Sequence, residues 1–175
     1  CAIPKVTYKT ITIHVQNPGI IPATQIECIH TETNGDLTIT WAPVVDPFGT
    51  YVGLELYSLQ GGLIGTYPIG TNSVTIPAPG ADLDFYTAVV SGCNGNAKRY
   101  SDTVRNVYLT LFNPANGTAQ LSWNLPADTP LPGMDNFATI YREYPTGTWT
   151  ALTTLPYGVV NFTDTIDICE AVLNY

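Results

Sequence analysis

Asn34-Gly35-Asp36-Leu37-Thr38-Ile39-Thr40-Trp41 is answered further along the chain by Asn116-Gly117-Thr118-Ala119-Gln120-Leu121-Ser122-Trp123. Asn34 to Asn116 and Trp41 to Trp123 are both steps of 82 residues. In each copy apolar residues (Leu37, Ile39, Trp41; Ala119, Leu121, Trp123) alternate with polar ones. A period of 2 buries one face of a strand and leaves the other solvated. Asn-Gly ahead of such a run is a strong hairpin signal, because a type I′ turn needs positive φ at both central residues. The segment is therefore a turn leading into a half-buried strand, and it occurs twice.

The match extends outward from this anchor. Val52-Gly53-Leu54-Glu55-Leu56-Tyr57 aligns with Phe137-Ala138-Thr139-Ile140-Tyr141, the tyrosines lying 84 residues apart. Ser73-Val74-Thr75-Ile76 aligns with Val160-Asn161-Phe162-Thr163, and Tyr86 of the run Phe85–Val90 with Tyr175, 89 residues later. An offset that widens from 82 to 89 is what longer loops in the second copy would produce, and loop-closure entropy rises only slowly with length. Six or seven short alternating strands per copy, with turn residues every 8–12 positions or about that, predict a β-sandwich. The expected fold is all-β: two tandem immunoglobulin-like sandwiches, with Trp41 and Trp123 packed between their sheets.

Composition supports that class. Hydrophobic residues make up 45% of the 175, enough for a core, and 15 Gly with 14 Pro leave no breaker-free helical stripe. Charged residues are only 11%, against about 25% in an ordinary domain. The net charge of −8, with Lys98-Arg99 the one basic pair, excludes a nucleic-acid partner, which needs clustered cations to neutralise phosphates. No run of 18 apolar residues is present, so no transmembrane helix is expected.

Trp41-Ala42-Pro43 and the turn Pro79-Gly80 leading into Asp84-Phe85-Tyr86-Thr87-Ala88-Val89-Val90 resemble the fibronectin type III family. The resemblance implies that Tyr86 is the corner tyrosine, a core residue whose hydroxyl bonds back to nearby backbone. It spans residues 21–107 as one module and 108–175 as a second, in which Tyr175 opens a sixth strand and the last strands are lacking. Residues 1–20, with the alternating run Thr10–Val15 and the turn Asn17-Pro18-Gly19, are expected to be the last strand of a preceding domain plus a linker. Both ends imply an interior slice of a longer polypeptide, or strands donated by a partner. More narrowly, Ala138–Trp149 and Thr163–Cys169 resemble fibronectin-type repeats of large gliding motility-associated surface adhesins of Bacteroidetes. That resemblance implies a secreted, cell-surface substrate of type IX secretion, with surface glycans or secretion-system proteins as partners.

The cysteines Cys1, Cys28, Cys93 and Cys169 are too far apart for a C-x-x-C metal or redox motif. Cys28 on the first strand and Cys93 beyond the sixth are the candidate disulfide, two buried thiols being the alternative; Cys1 and Cys169 are expected to pair outside this segment. His14 and His30 have no nucleophile turn beside them and are expected at the surface. Asp82 and Asp84 are expected to be turn residues, and Asp46 and Asp102 lack the spacing of a calcium loop. Asn116-Gly117-Thr118 and Asn161-Phe162-Thr163 fit the N-glycosylation pattern, a weak signal. No catalytic residue, cofactor or metal is expected. Tyr51, Tyr67, Tyr144 and Trp149, taken as exposed loop aromatics, are the candidates for stacking on a sugar. The sequence thus points to a non-catalytic structural or adhesive segment. The alternatives are a carbohydrate-binding module, or an accessory segment of a secreted polysaccharide-degrading enzyme.

Overall fold

The structure, a computed structural model, describes residues 12–13, 20–92, 96–127, 135–166 and 173–175. Among these residues it is all-β, with thirteen strands and no helix. The first eight are β1 (Ile26–Thr31), β2 (Leu37–Trp41), β3 (Tyr51–Ser58), β4 (Gly62–Tyr67), β5 (Ser73–Ile76), β6 (Asp84–Ser91), β7 (Ala97–Tyr100) and β8 (Val104–Arg105). They form one sheet in the order β1-β2-β5 and a second in the order β4-β3-β6-β7, with β8 also on β6. The two sheets pack face to face over one core as a β-sandwich. The other five are β9 (Leu109–Phe112), β10 (Thr118–Trp123), β11 (Phe137–Glu143), β12 (Trp149–Pro156) and β13 (Asn161–Thr165). They form the sheets β13-β10-β9 and β11-β12, and every pairing is antiparallel. The expectation that residues 1–20 end a preceding domain falls largely outside the described residues.

Alternation places the first core. Leu37, Ile39 and Trp41 of β2 face Leu54 and Leu56 of β3 and Phe85 and Val89 of β6, all fully buried. Trp41 donates its indole N–H to the Thr71 carbonyl at 2.9 Å and packs at a tilt against Tyr67, centroids 5.4 Å apart. A buried indole without that acceptor would forfeit its hydrogen bond to water.

Three local expectations are corrected. Gly35 and Gly117 have φ of 87° and 83°, but Asn34 and Asn116 do not adopt positive φ, so neither hairpin is type I′. Each turn is longer: Asn34 Oδ1 accepts from the Asp36 N–H at 3.1 Å, and Asn116 Oδ1 from the Thr118 N–H at 3.2 Å. The Asn side chain thus closes an Asx turn and the glycine takes the left-handed position. Second, Tyr86 is not a core residue. Phe85 and Thr87 hold the inward parity of β6, so Tyr86 points outward and stacks on Tyr57, centroids 5.0 Å apart and planes 3° apart. Third, Tyr51 and Tyr67 are not loop residues: they open β3 and close β4, and the Tyr51 hydroxyl donates to the Tyr67 carbonyl at 2.7 Å.

A bulge between Ile26 and Cys28 shifts the face of β1. Ile26 and Ile29 stay inward opposite Trp41 and Ile39, while Cys28 lies opposite Thr40 and is exposed. Cys93, its expected partner, lies outside the described residues, as do Cys1, Cys169 and His14.

Candidate functional site

The second set of strands repeats the first with a different core. Leu109 lies opposite Trp123 and Leu111 opposite Leu121, the register that Ile26 has with Trp41 and Ile29 with Ile39. The exposures differ. Ile26 is 6% exposed, whereas Leu109 and Leu111 are 39% and 52% exposed. In the first sandwich β6 covers that face. In the second, a cavity of about 550 Å³ opens over it, lined by Leu109, Leu121, Trp123, Ile140, Trp149 and Tyr175 among others. Trp123, expected in the core, is accordingly only half-buried.

At one end of this cavity the two sheets are tied by charge. Arg142 of β11 donates to Asp164 of β13 at 2.7 Å, and the Tyr175 hydroxyl donates to the same carboxylate at 2.8 Å. Asp164, opposite buried Ala119, is 7% exposed. Burial, with the hydrogen bond to Asp164 second, pushes the Tyr175 phenol up to about 12. In the first sandwich the corresponding positions, Ser58 and Ile76, carry no charge. A desolvated ion pair keyed to one register favours a single arrangement of the two sheets.

Beyond that end the cavity leads to the junction of the two sandwiches, where Tyr108, Glu143, Trp149 and Tyr175 meet Glu32 and Pro79 around a cleft. Glu143 accepts from the Asn174 side chain and from the Gly147 N–H, which hold its carboxyl below the usual range. Trp149 opens β12 opposite Glu143 and is 52% exposed; Tyr144, next to it across a tight turn, is also exposed. Of the four aromatics expected to stack on a ligand, these two remain accessible, while Tyr51 and Tyr67 are packed against the first core.

The outer face of the first sandwich carries a second cluster that sequence inspection missed. Tyr57, Tyr86 and Tyr100 form a cross-strand aromatic row. Lys98 sits 2.6 Å from Glu55 and donates to the Tyr57 hydroxyl at 3.0 Å. Burial alone would raise the Glu55 carboxyl, but the hydrogen bonds from Lys98 and Tyr57 outweigh it and hold it low. The signal was available in the alternation of Glu55 and Tyr57, once β6 is given the parity that turns Tyr86 outward.

The remaining polar candidates have structural duties. Asp84 takes a bidentate contact from Arg105 (2.9 and 3.3 Å) and a third bond from Gln60. Asp46 accepts the Phe48 and Tyr51 N–H groups and closes its loop. Among the described residues no three His, Cys, Asp or Glu side chains gather as a metal site, and no helix is long and apolar enough to cross a membrane.

No family model matches the chain, and no curated protein matches it. A solved structure of the central fibronectin-III array of RIM-binding protein is 15% identical over 83% of this chain and 57% of that chain, with a TM-score of 0.38. The chain spans less than two thirds of that array.

Proposed function

We propose that the chain is a non-catalytic structural and adhesive segment of a large secreted cell-surface protein, its two sandwiches acting as a semi-rigid spacer. The observation that carries this reading is the junction. Asn106, 2% exposed, accepts from the Leu83 N–H at 2.6 Å and donates to the Ala81 carbonyl at 3.3 Å, both in the first sandwich. Its own carbonyl accepts from Asn124 at 2.8 Å, and Asn124 Oδ1 accepts from the Tyr108 N–H at 2.6 Å. The Arg105 N–H reaches the Pro126 carbonyl at 3.0 Å. A link with its backbone groups paired to both neighbours bends less than a solvated linker does.

The resemblance of Ala138–Trp149 and Thr163–Cys169 to gliding motility-associated adhesins supports the finer form of the proposal, a type IX secretion substrate at the cell surface. Its partners are then the rest of its own polypeptide, surface glycans and secretion-system proteins. A carbohydrate-binding module is the second reading, favoured by exposed Trp149 beside Tyr108 and Glu143 in the junction cleft. A glycan array with the purified chain separates them. Binding that is absent, or unchanged in Trp149→Ala, keeps the structural and adhesive reading, whereas saturable binding lost in Trp149→Ala replaces it with the binding module.

A further inference from the structure

Asn34-Gly35 and Asn116-Gly117 hold the same place in the repeat, yet the fold engages their amides differently. Both asparagines are exposed, so access to water does not separate them. In each turn the Asn Oδ1 accepts the N–H two residues on, which folds the side-chain carbonyl over the intervening peptide. Around Asn34 the other groups are occupied. The Gly35 N–H donates to the Glu32 carbonyl at 2.9 Å, and Asn34 Nδ2 donates to Asp36 Oδ2 at 2.8 Å. Around Asn116 neither the Gly117 N–H nor Asn116 Nδ2 has a hydrogen-bond partner among the described residues. Asn116 Oδ1 instead gains a second donor, the Thr118 hydroxyl at 2.7 Å. Charge differs as well: Glu32 and Asp36 flank Asn34, whereas residues 106–127 include no charged side chain.

We infer that Asn116 is a site of spontaneous covalent modification, deamidation through a succinimide, and that the fold withholds the same chemistry from Asn34. The Gly117 nitrogen, once hydroxide has taken its proton, attacks Asn116 Cγ. Glycine suits this step because no Cβ obstructs its nitrogen. The new N–Cγ bond puts negative charge on Oδ1, where the Thr118 N–H and hydroxyl stabilise it. Collapse breaks the Cγ–Nδ2 bond and releases ammonia, leaving a cyclic imide. Water opens the imide at either carbonyl, giving aspartate or isoaspartate, the latter with an extra methylene in the main chain. At Asn34 the nitrogen's proton is committed to Glu32, and two carboxylates oppose an anion beside them. The product bears on the second sandwich. The Gly117 carbonyl accepts the Ile166 N–H at 2.7 Å, at the end of the β10–β13 pairing. A longer main chain at Asn116 displaces that carbonyl, so isoaspartate frays β10 from β13 and adds a negative charge.

The test ages the folded chain in mildly alkaline buffer, beside the same chain unfolded in guanidinium chloride. Chymotryptic peptides of both are then mapped by mass spectrometry, with fragmentation that separates aspartate from isoaspartate. Cleavage after Phe112 and Trp123 isolates Asn116; Asn94-Gly95, which lies outside the described residues, is followed separately. In the folded chain Asn116 should deamidate several times faster than Asn34, and in guanidinium the two rates should draw nearly level. Thr118→Val keeps the N–H and removes the hydroxyl, so it should slow Asn116 several-fold in the folded chain alone. Hydrogen exchange of the Ile166 amide should rise in the isoaspartate form. Equal rates at Asn34 and Asn116 in the folded chain would overturn the assignment. So would a preference for Asn116 that persists undiminished in guanidinium, or a folded Thr118→Val rate equal to the parent's. An Ile166 amide equally protected in the isoaspartate form would overturn the consequence for β13.

Discussion

Asn124 reaches across the junction to the backbone of Asn106, its side-chain amide donating to the Asn106 carbonyl at 2.8 Å while its oxygen accepts the Tyr108 N–H. One amide side chain of the second sandwich thus closes the link that Asn106 anchors in the first.

Asn106→Ala removes the acceptor of the half-buried Leu83 N–H. A buried donor left unpaired costs about 1–3 kcal/mol, so the first sandwich should lose stability at the low end of that range by urea unfolding. Asn124→Ala breaks only the crossing bonds. It should leave the urea midpoint of the first sandwich within error of the parent and broaden the particle dimensions in small-angle scattering.

The two tryptophans should behave differently despite their identical place in the repeat. Trp41 is enclosed and Trp123 half-buried. Trp41→Ala should cost about 3–5 kcal/mol, as truncation of an enclosed aromatic does. Trp123→Ala should cost clearly less. Denaturant titrations of the two variants, followed by circular dichroism, check the difference.

Much of this architecture was legible from alternation, because β2 and β10 bury every second residue and β6 carries an apolar run. Alternation did not announce the short strands β7, β8 and β9, nor the longer β4 and β12. Gly62-Leu63-Ile64-Gly65-Thr66-Tyr67 and Trp149-Thr150-Ala151-Leu152-Thr153-Thr154-Leu155-Pro156 lie at sheet edges, mostly solvated, where no apolar period is required. The sites were harder still. A period of 2 says that neighbours face opposite ways, not which way, and Tyr86 and Phe85 could exchange roles until packing chose between them. The bulge at Ile26–Cys28 likewise has no sequence mark, and it decides on which face Cys28 lies. The Arg142–Asp164 pair was invisible because the residues are 22 apart on separate strands.

Arg142→Met should destabilise the second sandwich by about 3–5 kcal/mol, since it strands the Asp164 carboxylate in a desolvated place. Unfolding followed by Trp123 and Trp149 emission reads it. Combining Arg142→Met with Asp164→Leu should recover most of the loss, the mark of a pair whose removal is tolerated when its halves leave together.

Two titrations in the second sandwich make its stability depend on pH. The Glu143 carboxyl is depressed by Asn174 and Gly147, so its contribution is present above the unfolded value near 4.5 and is lost as pH falls through the lower folded value. The Tyr175 phenol is raised from 10.0 to about 12, so its contribution is whole below pH 10 or so and is lost as pH rises through about 12. Melting temperature against pH should flatten on the acid side in Glu143→Gln and on the alkaline side in Tyr175→Phe.

Cys28, exposed beside Thr40, should be alkylated by iodoacetamide in the folded protein, as peptide mapping would show. Resistance until reduction would instead show Cys28 in a disulfide, with Cys93 the expected partner.

The spacer reading depends most directly on the fixed orientation of the two sandwiches. Residual dipolar couplings of the isotope-labelled protein in a dilute aligned medium measure it. The account predicts that amide couplings from β1–β8 and from β9–β13 fit one alignment tensor with the same magnitude and rhombicity. Two separate tensors, with the second clearly weaker, would mean that the sandwiches swing freely about Asn106 and would contradict it.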